Sequence, residues 1–297
     1  MSSPIGLIGL GAMGRGMAGS LRRAGYSIHV YDVRPDAVQA FTADGGVGCA
    51  SPAELASRCD IVVSVVVNAA QTEEVLFGAQ GAAAAMKPGA LFVMCSTVDP
   101  NVSIAFEKRL AERGVLYLDA PISGGAAKAA SGQMTMMSAG KPEAYAKAGK
   151  ALGAMAAQVY KLGDKAGNGS KVKIINQLLA GVHIAAAAEA MALGLREGVD
   201  PAALYEVITH SAGNSWMFEN RMAHVLAADY TPLSAVDIFV KDLGLVLDTA
   251  RATKFPLPLA STAHQMFMQA SSAGFGREDD AAVIKTFPGI TLPEKKG

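Results

Sequence analysis

Gly9, Gly11 and Gly14 stand between a short apolar run (Ile5, Leu7, Ile8) and a helix-like stretch at 15–24. Each glycine answers a separate physical demand: a tight turn, close approach of backbone to a pyrophosphate, and close packing of helix on strand. The helix that follows directs unpaired N–H groups and its positive dipole end at the phosphates. Gly9, Gly11, Ala12, Met13 and Gly14 are therefore the expected pyrophosphate cradle. A second apolar run, 26–31, ends in Asp32, 18 residues after Gly14, where a carboxylate accepts hydrogen bonds from an adenosine ribose. That carboxylate suits the free 2′-hydroxyl of NAD and repels the 2′-phosphate of NADP. Arg34 reads either as a solvated charge or as a partner for such a phosphate. Strand, glycines, helix and acid in this order predict a βαβ unit that binds NAD.

Composition narrows the rest. A chain of 297 residues has room for two domains. Its 26 basic and 26 acidic side chains balance, which gives no electrostatic case for nucleic acid or an anionic membrane as partner. Cys49, Cys59 and Cys95 are odd in number and widely spaced, the histidines form no HExxH pattern, and no metal site is expected. Reduced thiols and the absence of a signal-type leader point to the cytoplasm. The apolar stretch 174–195 carries Asn176, Gln177, His183 and Glu189, groups costly to hold in hydrocarbon, so it reads as a buried helix rather than a membrane span. Its alanines and glycines suit close packing, including against a partner subunit.

Strand candidates fall at 5–9, 28–31, 61–67, 91–95, 115–118, 134–138 and 159–161. They alternate with helix candidates at 15–24, 35–43, 53–58, 71–77, 102–113 and 142–152. This alternation predicts an α/β, doubly wound parallel sheet covered on both faces. Beyond Asp164 it stops, and helices are expected at 171–197, 201–211, 216–228, 234–253, 258–273 and 278–286, with a loosely ordered tail. The expected division is a Rossmann-type domain over 1–163 and an all-helical substrate and oligomerisation domain over 164–297.

Ser123, Gly124 and Gly125 follow the strand candidate that ends near 118. Consecutive glycines there expose backbone N–H groups and form an anion-holding nest, with a carboxylate as its natural guest; an ordinary Ser-Gly-Gly turn is the competing reading. Lys173 enters an apolar helix near its start, with Asn176 and Gln177 one turn on, and reads from spacing alone as a snorkelling surface residue.

Four segments together resemble the β-hydroxyacid dehydrogenase family, the 3-hydroxyisobutyrate dehydrogenase and tartronate-semialdehyde reductase group. They are GLGAMGRGM at 9–17, DAPISGGAAKAASG at 119–132, GNGSKVKIIN at 167–176, and Lys241-Asp242. The likeness covers 5 to about 286. It implies that Lys173 is the catalytic acid/base and that Ser123, Gly124 and Gly125 hold the substrate carboxylate. It further implies that an amide one turn beyond the lysine, Asn176 or Gln177, contacts substrate and that Lys241 reaches the nicotinamide end of the cofactor. Val66, Val67 and Asn68 stand where many members have Leu-Pro-Asn, and Ser96 with Thr97 is expected beside the nicotinamide, unless that hydroxyl pair serves as a helix N-cap. The chemistry suits a lysine, because oxidising an alcohol needs a base within about 3 Å of its oxygen, and drying out the amine lowers its pKa.

The polar and aromatic stretch 210–221 faces the substrate pocket in this family. His210, Asn214, Ser215 and Trp216 there suit a polyhydroxylated acid, although Trp216 also reads as core. Residues 171–194 and 210–244 resemble the subgroup that oxidises L-threonate, which implies NAD-dependent oxidation of the C2 hydroxyl of a four-carbon sugar acid by a homodimer or homotetramer. The alternatives are an NAD(P)H-dependent semialdehyde or glyoxylate reductase of the same fold, and a non-catalytic NAD-binding module.

Overall fold

The computed structural model describes residues 3–295, and the chain divides into two compact units between Lys173 and Ile174. The first unit opens with β1 (Ile5–Ile8), α1 (Ala12–Arg23), β2 (Ile28–Tyr31), α2 (Pro35–Ala43) and β3 (Val47–Gly48). It continues through α3 (Pro52–Arg58), β4 (Ile61–Ser64), α4 (Ala69–Phe77), β5 (Leu91–Met94), α5 (Pro100–Ala111) and β6 (Leu116–Asp119). The six strands form a parallel sheet in the order β3-β2-β1-β4-β5-β6, with Leu7 flanked by Val30 and Val63.

Strand order reverses between β1 and β4, the place where doubly wound sheets bind ligands beyond their carboxyl ends. Every residue of β1 and β5 is buried, as expected of strands covered on both faces. Leu7, Val30, Val63 and Leu118 pack with Met17 and Leu21 of α1 on one side. Ile8, Val62, Phe92 and Met94 pack with Leu55 and Phe106 on the other. Each such side chain contributes ~1.5–3 kcal/mol by leaving water.

After β6 come β7 (Ile122–Ser123), α6 (Gly125–Ser131), β8 (Met134–Ser138), α7 (Pro142–Ala148), α8 (Ala151–Met155) and β9 (Ala156–Lys161). Here the structure departs from a single sheet. β7, β8 and β9 form a second, three-stranded sheet in which β7 runs antiparallel to β8. The connection that reverses the chain runs through Gly124 and Gly125, both at positive φ (139° and 78°), then α6 and Gly132 at φ 70°. Neither β7 nor α6 shows an apolar period in sequence, because α6 is mostly alanine. It is held by close approach to α1, where a Cβ on Gly16 would lie 2.6 Å from the Ala130 nitrogen. The expected helix 142–152 breaks at Gly149, whose φ is 53°.

The long α9 (Asn168–Arg196) starts in the first unit and continues into the second. The expected join near Gly163 coincides with the end of β9, whereas the compact units divide inside α9. The second unit adds α10 (Pro201–Thr209), α11 (Trp216–Leu226), α12 (Val236–Ala252) and α13 (Pro258–Ala270), then a π-helical turn (Ser271–Phe275) and a 3₁₀ helix (Asp280–Thr286). Side-chain caps begin three of these helices: Asp200 accepts the Ala203 N–H, Ser215 the Phe218 N–H and Asp279 the Ala281 N–H. By length and composition α9 is apolar enough to cross a membrane. In the helical unit its Ile184, Ala188 and Met191 are buried with Phe239, Leu243 and Phe267. Gly181 permits this, since a Cβ there would meet the Leu243 side chain at 2.9 Å.

Candidate active site

The glycine turn has the three properties its spacing predicts. Gly9 adopts φ 96°, and a Cβ on it would lie 2.6 Å from the Val65 carbonyl oxygen. A Cβ on Gly14 would fall 1.8 Å from the Gly9 oxygen, so helix and turn touch there. A Cβ on Gly11 would meet nothing within 4 Å; the space it leaves is open. Gly11 is the N-cap of α1 and offers no side chain, so the first-turn N–H groups at Ala12, Met13 and Gly14 have no intrahelical acceptors.

At the tip of β2, Asp32 Oδ2 accepts the Leu10 N–H at 2.6 Å, and Oδ1 accepts the Arg34 N–H at 2.9 Å and Arg34 Nε at 3.2 Å. Burial opposes ionisation of this carboxyl. The Arg34 and Leu10 N–H groups and the Arg34 guanidinium nevertheless hold it below its ordinary value. A cavity of about 670 Å³ runs from Gly9 and Gly11 past Asp32 to Val65, Val66, Val67 and Gln71. Its dimensions, the open space over Gly11 and the carboxylate at the ribose position fit a dinucleotide.

The loop after β4 is fixed from within. Asn68 caps α4 by accepting the Gln71 N–H at 2.9 Å, while Gln71 Oε1 accepts the Val67 N–H at 2.8 Å. Ser96 is buried, and its hydroxyl donates to the Val66 carbonyl at 2.8 Å while accepting from Thr72 Oγ1 at 3.1 Å. The Asn68 and Ser96 side chains thus shape the loop that carries Val66 and Val67. The N-cap of α5 is Asp99, so neither Ser96 nor Thr97 caps that helix.

Asp119, fully buried at the end of β6, is the residue whose part the sequence did not reveal. Its Oδ2 accepts the N–H groups of Gly167 (2.8 Å) and Ser170 (2.9 Å), and its Oδ1 accepts the Ser170 hydroxyl (2.7 Å). Burial raises its pKa, against the pull of these donors. Lys173 follows Ser170 by three residues on α9 and is 6% exposed, which removes it from the snorkelling class. On the chain side of Asp119, Ser123 lies in β7 and pairs with Thr135; Gly124 and Gly125 follow at positive φ, with open space above the Gly125 Cβ position.

In the helical unit, the second polar set gathers on Asp242, which is 2% exposed. Gln177 Nε2 donates to its Oδ2 at 2.6 Å, Lys241 Nζ lies 2.5 Å from its Oδ1, and Asn176 Nδ2 donates to Gln177 Oε1 at 3.0 Å. Lys241-Asp242 is thus no solvated charge pair. Asn214 Nδ2 donates to the Thr209 carbonyl (3.0 Å) and Glu219 Oε1 (2.6 Å), leaving its buried Oδ1 without a hydrogen-bond partner among the described residues. Trp216 begins α11 and is 50% exposed, unlike a core residue. His210 lies on the surface, its Nδ1 2.8 Å from the Glu206 carbonyl.

Residues 4–163 match the NAD binding domain of 6-phosphogluconate dehydrogenase, and residues 167–287 match the NAD-binding domain of NADP-dependent 3-hydroxyisobutyrate dehydrogenase. The chain is 70% identical to L-threonate dehydrogenase of Cupriavidus necator over 99% of both proteins. It is 53% identical to L-threonate dehydrogenase of Pectobacterium atrosepticum over 98% of this chain and 96% of that one. A crystal structure described as 3-hydroxyisobutyrate dehydrogenase from Salmonella typhimurium superposes with a TM-score of 0.92 at 54% identity, covering 96% of this chain and 100% of that one. With its glycine turn, ribose-side carboxylate and buried lysine in the family's order, this chain belongs to the 3-hydroxyisobutyrate dehydrogenase-related family of NAD-dependent β-hydroxyacid dehydrogenases.

Proposed function

We propose that this enzyme oxidises the C2 hydroxyl of a four-carbon sugar acid, L-threonate, with Lys173 as general acid/base. The observation that carries the reading is a buried lysine whose helix is hydrogen-bonded to the strand end leading into the Ser123–Gly125 turn. Proteins 70% and 53% identical to this one over nearly their whole length are L-threonate dehydrogenases, which supports the substrate. When bound, NAD supplies the hydride acceptor at C4 of its nicotinamide. Gly9, Gly11, Ala12, Met13 and Gly14 would hold its pyrophosphate and Asp32 its ribose, with Val66, Val67, Asn68, Ser96, Thr97 and Lys241 assigned towards the nicotinamide end.

The Ser123 hydroxyl and the N–H groups of Gly124 and Gly125 hold the substrate carboxylate. Lys173, in its neutral form, takes the proton of the reacting hydroxyl at Nζ; in reduction its ammonium returns it. Gln177 is engaged at both ends of its amide, by Asn176 and Asp242, and so serves to orient Asn176, the amide assigned to substrate. The Oδ1 of Asn214 suits a substrate hydroxyl donor, and Trp216, half-exposed at the start of α11, is the other residue of this stretch assigned to substrate. The helical unit would also carry the contacts between subunits. Ile175, Leu179 and Leu193 of α9 are 60%, 51% and 63% exposed, a stripe suited to a second copy in a homodimer or homotetramer. A cytoplasmic location completes the proposal.

An assay of C3–C5 sugar acids with NAD tests the function. L-threonate should give the highest kcat/KM. A higher value for succinic or tartronate semialdehyde with NADPH would favour the reductase reading, to which Arg34 beside Asp32 lends its one structural support.

A further inference from the structure

The geometry points to Asp119 as a positioning residue for the reaction, one that sets Lys173 against the substrate-carboxylate turn by holding the first turn of α9; this rests on the assignment of Lys173 as acid/base. The backbone of Asp119 is fixed first. Its N–H donates to the Ala139 carbonyl at 3.0 Å and its carbonyl accepts the Ala139 N–H at 2.8 Å, which ties β6 to the end of β8. Its carboxylate then accepts three donors from the start of α9, all buried.

The helix does not cap itself. The Asn168 amide donates instead to the Leu162 carbonyl at 3.1 Å, and the anion that satisfies the first-turn N–H groups comes from a residue 48 positions away from Gly167. Gly169 closes the joint, since a Cβ there would lie 2.4 Å from the Met137 oxygen and 2.6 Å from the Asp119 oxygen. Ser170, gripped through both its N–H and its hydroxyl, and Lys173 are i and i+3 neighbours on the helix, with Cβ atoms about 5–6 Å apart. In the other direction along the chain, β6 runs through Ala120 and Pro121 into Ser123. One carboxylate therefore joins the base to the anion turn, gripping Ser170 three residues before Lys173 on the helix.

Other titratable groups that feel Asp119 are Glu107 from α5, Tyr117 from β6, Tyr145 from α7 and Cys95 after β5. Burial pushes Cys95 up to about 12 and Tyr117 well above its ordinary value, and it raises Tyr145 as well. Glu107, also raised by burial, faces Lys141. With Lys173 assigned as the base, the limb of the oxidation rate that rises with pH is the one to follow.

Asp119→Asn, Ser170→Ala and Lys173→Ala, each assayed with L-threonate and NAD across pH, test the inference. Asp119→Asn should lower kcat by about 10–100-fold, leave the Kd for NADH within about twofold, and move the rising limb of kcat about one pH unit lower as a nearby anion is lost. Ser170→Ala, which keeps the carboxylate and the Ser170 N–H, should lower kcat by about 3–10-fold with the limb in place. Wild-type kcat and an unmoved limb in Asp119→Asn overturn the assignment. If that variant fails to fold or bind NADH, wild-type kcat in Ser170→Ala overturns it instead. An inert Lys173→Ala beside a fully active Asp119→Asn defeats the role of Asp119 alone, whereas an active Lys173→Ala defeats the lysine reading and the inference together.

Discussion

The carboxylate of Asp32 accepts the Leu10 N–H across 2.6 Å, so the acid at the tip of β2 also holds the glycine turn that follows β1. Substituting it acts on both. Asp32→Ser should raise KM for NAD by about 10-fold or more while lowering KM for NADP, because repulsion of a 2′-phosphate disappears and Arg34 loses its carboxylate partner. Steady-state kinetics with the two cofactors check this; an unchanged ratio of kcat/KM values counts against Asp32 as the ribose ligand.

Gly11 and Gly14 differ in what a methyl group would meet, and the two alanine variants should separate affinity from folding. Gly11→Ala places its Cβ in open space, so its melting temperature should match the wild type while NAD affinity falls about 10-fold or more. Gly14→Ala drives a carbon into the Gly9 carbonyl at 1.8 Å and should destabilise the first unit by several kcal/mol. Thermal denaturation and NADH titration of the two proteins give the comparison.

Asp242 gathers Gln177 and Lys241 in a buried position. Asp242→Ala removes the buried carboxylate that Gln177 and Lys241 share, which should cost about 3–5 kcal/mol. Asp242→Asn, which keeps one acceptor, should cost less. Urea unfolding checks both, and equal losses would assign the whole effect to the charge rather than to the retained acceptor.

In the helical unit, His224 Nδ1 lies 3.2 Å from the buried Asp279 Oδ1. The Asp279 carboxylate beside the ring raises the pKa of His224 against the effect of burial, with Arg221 and Asp280 as the neighbouring charges. For Asp279 burial works the other way, and His224 and Arg221 hold its carboxyl low. The histidine's contribution is therefore complete below its unfolded value near pH 6.5 and is lost as pH rises through its folded value. The carboxylate's contribution is present above about pH 3.8 and is lost as pH falls through its depressed value. His224→Gln should melt about 3 °C below the wild type near pH 5.5, a gap that narrows towards pH 9. A gap independent of pH would remove the ion pair from the explanation.

What the sequence determined was local and periodic. The glycines at 9, 11 and 14 and the acid at 32 were legible because a turn, a helix start and a strand tip each involve neighbours along the chain. The buried runs 61–64 and 91–94 were legible because strands covered on both faces are continuously apolar. Spacing alone placed Lys173 on the surface, whereas the structure buries it; its assignment as acid/base comes from family resemblance. The alanine-rich α6 and the two-residue β3 and β7 carry no apolar period, and contacts with distant segments define them. Only the tertiary structure decided what Asp119, Asp242 and Ser96 do. Their partners lie 48 and 51, 65, and 24 and 30 positions away, and hydrogen bonds between such groups exist only once the sheet and helices have brought them together and excluded the water that would otherwise take their place.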